Sequence, residues 1–171
     1  KLEELKEDLF KRHVLGHVAA HVYVVEFQKR GLPHAHLLLI MKPEDKIKSF
    51  EDYDKYVCAE IPPVEWGENL RHSVWRNMMH GPCGTLKPKN VCMRKIGKCK
   101  NNYPKDFCER TTQGNNSYPI YKRQDNKESL LVRGHKLNNK WVIPYNPYLL
   151  AKFDCHLNVE ICSTIKAVKY L

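Results

Sequence analysis

The apolar positions of this chain fall into short runs whose spacing changes along its length. Residues 2–15 (LEELKEDLFKRHVL) place Leu2, Leu5, Leu9 and Phe10 at helical spacing, which predicts an amphipathic helix ending at Gly16. The next two runs, HVAAHVYVVEFQ (17–28) and HAHLLLIM (34–41), flank a KRGLP turn and predict a β-hairpin. Ser49, three residues before Asp52, predicts the cap of a short helix that the Pro62-Pro63 pair terminates. Trp66, Leu70, Val74, Trp75 and Met78 recur near a helical period and predict a second long helix over 64–80. Further on, 117–124, 129–137, 140–147 and 155–162 read as strands, with Asn138-Asn139 as a turn joining the middle two. Ser163 is a plausible cap for a final helix over 163–171.

The hairpin carries the first candidate chemistry. Side chains alternate across a strand, so His34 and His36 share one face, as do Val24, Glu26 and Gln28 on the strand before. Antiparallel pairing then brings Glu26 beside both histidines. Two imidazoles and a carboxylate form a three-ligand set with positions left over for a phosphate oxygen. Leucines follow His36 where a metallo-β-lactamase pattern needs HxHxDH, and an amidohydrolase barrel needs a far longer chain. His156 is the alternative third ligand.

Composition sharpens the picture. The chain is 171 residues long, one domain's worth, and no apolar run approaches the roughly 20 residues of a membrane span. The first residues are charged and amphipathic, unlike a secretion signal. The sequence lacks an initiating Met and stops mid-pattern at Leu171, which reads as a piece of a longer protein. A formal charge of +10 points toward a polyanionic partner such as nucleic acid. Seven cysteines without a secretion signal argue against a disulfide framework, and four of them lie between 83 and 108.

That Cys-rich stretch, about 80–110, lacks apolar periodicity and needs a staple. His80, Cys83, Cys92 and Cys99 give H-x2-C-x8-C-x6-C, acceptable for a structural tetrahedral Zn²⁺, with Cys108 as the alternative to His80. Such a zinc would organise the loop and a DNA-facing surface without catalysing. Cys58, Cys155 and Cys162 read as ordinary buried thiols. His156, Asn158 and Glu160 share one face of the 155–162 segment, either as site-lining groups or as a solvated face. Tyr118, Tyr121, Trp141, Tyr145 and Tyr148 are interleaved with Lys122, Arg123, Arg133, Lys136 and Lys140, a mixture suited to unpaired bases. Tyr170 follows Lys166 by one helical turn with Lys169 adjacent, a positive field that favours a phenolate; on spacing alone it reads as a core tyrosine.

The run VVEFQKRGLPHAHLLL resembles the HUH (His-hydrophobic-His) endonucleases of rolling-circle replication. More closely, EFQKRGLPHAHLLL, AEIPP, HGPCG, VCMRKIGKC, YPKDF, VIPYNPYLL, CHLNVEIC and AVKYL look like the N-terminal helicase-like or Rep region of Helitron transposases. The resemblance implies an α+β fold over 1–171: an antiparallel sheet with a central HUH hairpin, flanking helices and the zinc-stapled insertion. It implies nicking and strand transfer of single-stranded DNA at a transposon end by Tyr170, aided by Lys166. His34, His36 and Glu26 would hold Mg²⁺ or Mn²⁺, with Gln28, His156, Asn158 and Glu160 lining the site. The product would be a 5′-phosphotyrosine and a free 3′-hydroxyl. KYL matches the start of a two-tyrosine pattern whose second member would fall at position 174, so steps that need it are expected to be lost and single nicking kept. The resemblance also implies a downstream helicase region, a nuclear location and no membrane. A zinc-stabilised DNA-binding module with decayed catalysis and a water-using metal phosphodiesterase are the other two readings.

Overall fold

The computed structural model describes residues 1–27, 33–93, 97–114 and 118–162; Gln28, Lys166 and Tyr170, and the final helix expected over 163–171, lie outside them. The first helix, α1 (Leu2–Phe10), stops short of the expected residue 15. His13 takes a positive φ of 54°, which a helix does not accommodate. Leu9 and Asp8 are buried. Asp8 faces Lys152 Nζ at 2.7 Å and Arg12 at 2.5 Å, so an ion-pair cluster ties α1 to a helix at the far end of the chain.

The hairpin follows, as β1 (Val18–Phe27) and β2 (Pro33–Met41), paired antiparallel with a bulge between Val18 and Ala20. Among the described residues it pairs with no further strand, so the central place expected for it in a larger sheet is not observed. Val24 and Phe27 are 52 % and 76 % exposed, so the ribbon is open to solvent toward its tip. Its lateral supports come from α1: Phe10 stacks on the His21 ring and Lys6 lies over Tyr23.

The packed core lies in the second part of the chain. Helix α2 (Phe50–Tyr56) begins where Ser49 accepts the backbone N–H of Asp52, as the spacing predicts. Helix α3 (Glu68–Asn77) lies within the expected 64–80, preceded by one 3₁₀ turn over Val64–Trp66. It packs against α4 (Pro147–Phe153) through a core of Ile61, Leu70, Val74, Met78, Val142, Tyr145 and Leu150.

The expected strands resolve differently. Residues 129–137 fold back on themselves as β3 (Leu130–Val132) and β4 (His135–Leu137), turning at Arg133 and Gly134, both at positive φ. That pair of dihedrals suits a two-residue hairpin turn. Asn138 instead caps a 3₁₀ turn over Asn139–Trp141. Segments 118–124 and 140–147 are largely extended but make single bridges, such as Cys108 with Arg123 and Cys58 with Tyr145, because their partners are isolated loop residues. Residues 155–162 make no ladder with any described residue, yet their exposure alternates, with His156, Asn158 and Glu160 outward. The molecule is therefore α+β, with two two-stranded antiparallel sheets and four α-helices among the described residues.

Buried polar side chains replace the missing ladders. Asn139 accepts the Ile61 N–H and donates to the Gln124 carbonyl. Asn146 caps α4 through the Leu149 N–H and donates to the Tyr56 carbonyl. The Arg123 guanidinium, 4 % exposed, donates to the carbonyls of Ala59, Asn139 and Val142. Each joins segments distant in sequence, which is how a loop-rich core satisfies its backbone.

Candidate metal centre

His80 leaves α3's C-terminal end and is fixed by its own N–H on the Trp141 carbonyl at 2.8 Å. Its ring stacks on Tyr103 at 4.1 Å, with Trp141 parallel to it at 6.4 Å. Cys83, Cys92 and Cys99 reach the same point from the loop, and all three are buried against Val132, Leu137 and Trp141. The loop is held there by its own bonds, Lys100 N–H to the Cys92 carbonyl and Asn90 Nδ2 to the Pro82 carbonyl.

The four ligand atoms all lie within 4.8 Å of one another. His80 Nε2 is 3.6 Å from Cys83 Sγ and 3.5 Å from Cys99 Sγ. A tetrahedral zinc with bonds of about 2.3 Å to sulfur and about 2.0 Å to nitrogen separates such atoms by roughly 3.5 Å. The donor set and its spacing thus fit a closed structural zinc site. Cys108 stands apart, donating to the Arg110 carbonyl.

The electrostatics agree. Burial lowers the His80 pKa, with Lys105 adding to the effect, a direction that favours the neutral imidazole a metal ligand needs. Burial pushes the Cys83 thiol up to about 12 and raises Cys92, each also opposed by a neighbouring thiol. Burial also opposes Cys99 ionisation, yet backbone N–H groups at Tyr103 and Asn101 and the two other thiols outweigh it and lower that pKa. Three thiolates crowded in an apolar layer need a cation to neutralise them.

The histidine hairpin is built differently. In its register Glu26 lies opposite His34 and Val24 opposite His36, so Glu26, His34 and His36 share one face. Glu26 Oε2 is 3.4 Å from His36 Nε2, with both side chains about half exposed. Among the described residues only the His80–Cys99 set gathers three or more ligand atoms around one point. His156 hydrogen-bonds the Asn77 carbonyl at 2.8 Å, and Asn158 donates to Glu160. These three side chains are exposed and form no hydrogen bond or ion pair with Glu26, His34 or His36.

Several expectations of residue environment change. Cys162 is exposed and Cys58 and Cys155 are half-buried, so none is a fully buried thiol. Tyr121, Trp141 and Tyr145 are buried in the core and cannot stack on bases, whereas Tyr148 is exposed. Arg123 and Asn139, the core's polar junctions, have no signal in spacing because their partners are loop carbonyls far away in sequence. No helix among the described residues is long and apolar enough to cross a membrane.

No curated protein matches the chain. Residues 1–39 match the family model described as the Helitron helicase-like domain at N-terminus. That span holds α1, β1 and β2 as far as Leu39, and with them Glu26, His34 and His36. Residues 1–39 are thus similar to the Helitron helicase-like N-terminal domain, the family that the chain's motifs resemble.

Proposed function

We propose that this chain nicks single-stranded DNA and joins the cut strand to a tyrosine, as the first step of Helitron-type transposition. The observation that carries the reading is the pairing of Glu26 with His34 and its contact with His36, inside the segment that matches the family. Glu26, His34 and His36 would hold Mg²⁺ or Mn²⁺. That ion would supply polarisation of the scissile phosphate. Tyr170 supplies the attacking oxygen: its phenolic proton leaves, a phosphorus–oxygen bond to tyrosine forms, and the bond to the 3′-oxygen breaks. The 3′-oxygen takes up a proton, and the phosphotyrosine conserves the diester for rejoining. Lys166 favours the phenolate. Gln28, His156, Asn158 and Glu160 line the approach. The zinc centre is structural. By the same resemblance the chain precedes a helicase region in a nuclear protein.

Incubation with a labelled single-stranded oligonucleotide and Mn²⁺, followed by a denaturing gel, tests this. A covalent protein–DNA band lost in Tyr170→Phe and in His34→Ala plus His36→Ala supports it. Adduct formation that survives the double histidine change overturns the metal assignment. Binding without cleavage supports a zinc-stapled DNA-binding module, a reading favoured by the gathered His/Cys set.

A further inference from the structure

We infer that the surface of the His/Cys-stapled loop is a second DNA contact, one that grips the phosphate backbone beside the zinc centre. Between Glu68 and Asp106 the chain carries no acidic residue. Residues 81–105 alone hold seven of its 29 Lys and Arg. Lys87, Lys89, Lys98 and Lys100 are exposed and form no ion pair with any described residue. Some lysines elsewhere are neutralised, as Lys122 by Glu60 and Lys152 by Asp8.

One of these cations, Lys98, lines a groove. The groove is open, about 290 Å³ in volume, and lies directly over the cluster, lined also by Gly84, Gly97, Asn102 and Tyr103. A Cβ at Gly84 or Gly97 would meet nothing within 4 Å, so the groove's glycine walls are open to a ligand. Lys105, on the same loop, is anchored by its ammonium on the Asn101 carbonyl and lies 5.0 Å from the Tyr103 ring centre. Three thiolates and one imidazole around a divalent ion carry only a single net negative charge, so the loop stays strongly positive when loaded. Its groove is open and lined by Lys98, on a loop that carries further exposed lysines and no acid, which suits phosphates rather than base edges. That the polyanion is single-stranded DNA rests on the nicking reading; that it is a phosphate backbone rests on the charge.

Fluorescence anisotropy of a labelled oligothymidylate with the zinc-loaded chain tests the inference. It is run in the His34→Ala plus His36→Ala background, so that binding is read apart from nicking. Lys98→Glu plus Lys100→Glu is compared with Lys46→Glu plus Lys48→Glu, an equal charge change on exposed residues elsewhere. The first pair is expected to lower affinity at least about tenfold at 0.1 M salt and to reduce the slope of log K against log salt by about 1.4. The control pair should do neither, and zinc content should stay the same. Equal losses from both pairs, or none from the first, overturn the groove assignment. So does polyglutamate of matched charge that competes as well as the oligonucleotide. If the first pair loses zinc, Lys98→Gln plus Lys100→Gln is read in its place against Lys46→Gln plus Lys48→Gln. Absence of a covalent adduct in the unaltered chain would overturn the nicking reading and leave this result standing.

Discussion

Arg123→Met removes the junction between the helical core and the layer that holds the metal centre. Arg123 Nη1 lies 3.0 Å from the Ala59 carbonyl oxygen, 2.6 Å from that of Asn139 and 2.7 Å from that of Val142. Burial lowers its pKa, but a guanidinium stays charged at neutral pH. Two hydrogens on Nη1 serve three acceptors, so the contacts amount to about two full bonds. Methionine fills most of the stem volume and leaves the carbonyls behind. Asn139 keeps the Val142 N–H and Val142 keeps the Tyr103 hydroxyl, whereas Ala59 keeps no donor among the described residues. One orphaned acceptor and two weakened ones amount to a loss of about 2–4 kcal/mol. In urea, with a slope of about 2 kcal/mol/M, the midpoint should fall by about 1–2 M at constant slope. The measurement is made with zinc present. Arg123→Lys should recover less than half, because one ammonium cannot reach all three oxygens. A midpoint shift under about 0.3 M, or full recovery by lysine, would refute the assignment of Arg123 as a structural staple.

Cys92→Ser should abolish stoichiometric zinc uptake, measured by metal analysis of the purified chain, while Cys108→Ser should retain it; retention in the first would remove Cys92 from the ligand set. Lys152 first, then Arg12, holds the Asp8 carboxyl below the usual range against an opposing burial effect. A depressed carboxylate stabilises the fold above its unfolded pKa, near 3.8, and loses that contribution as pH falls through the folded value. Asp8→Asn should thus lower the melting temperature at pH 7, with a deficit that narrows below about pH 4; a deficit independent of pH would contradict the ion-pair role. Asn146→Ala loses both the α4 cap and the bond to the Tyr56 carbonyl, and should cost about 1–3 kcal/mol by urea titration. A cost under about 0.5 kcal/mol would show the cap to be dispensable.

The sequence was most readable where chemistry is local. Strand alternation was enough to put Glu26 across from His34, and Ser49 with Asp52 marked the start of α2. The alternation of 155–162 survives as exposure even though no ladder with a described residue forms there. Asn146-Pro147 is a cap followed by a first-turn proline, a signal for α4 that lay in the strand-like reading of 140–147. Arg133 at positive φ hid the turn between β3 and β4, because a non-glycine residue seldom takes that conformation. The single bridges that replace a sheet depend on loops far away in the chain, as Met79 with Val142 does, and no window of sequence reports them. The His/Cys set was legible in its residue types. What its spacing left open, His80 against Cys108, depended on the stacking of His80 on Tyr103, a contact across 23 residues.

The central claim, transfer of a DNA strand to tyrosine, is tested most directly by the fate of the two ends of one oligonucleotide. Two preparations of the same single strand, labelled at the 5′ or at the 3′ end, are treated with the chain and Mn²⁺ and run under denaturing conditions. The account predicts that the 3′ label migrates with the protein, while the 5′ label leaves on a shorter strand whose 3′-hydroxyl a polymerase extends. Release of both labels from the protein, with cleavage, would mean that water is the nucleophile and would contradict it.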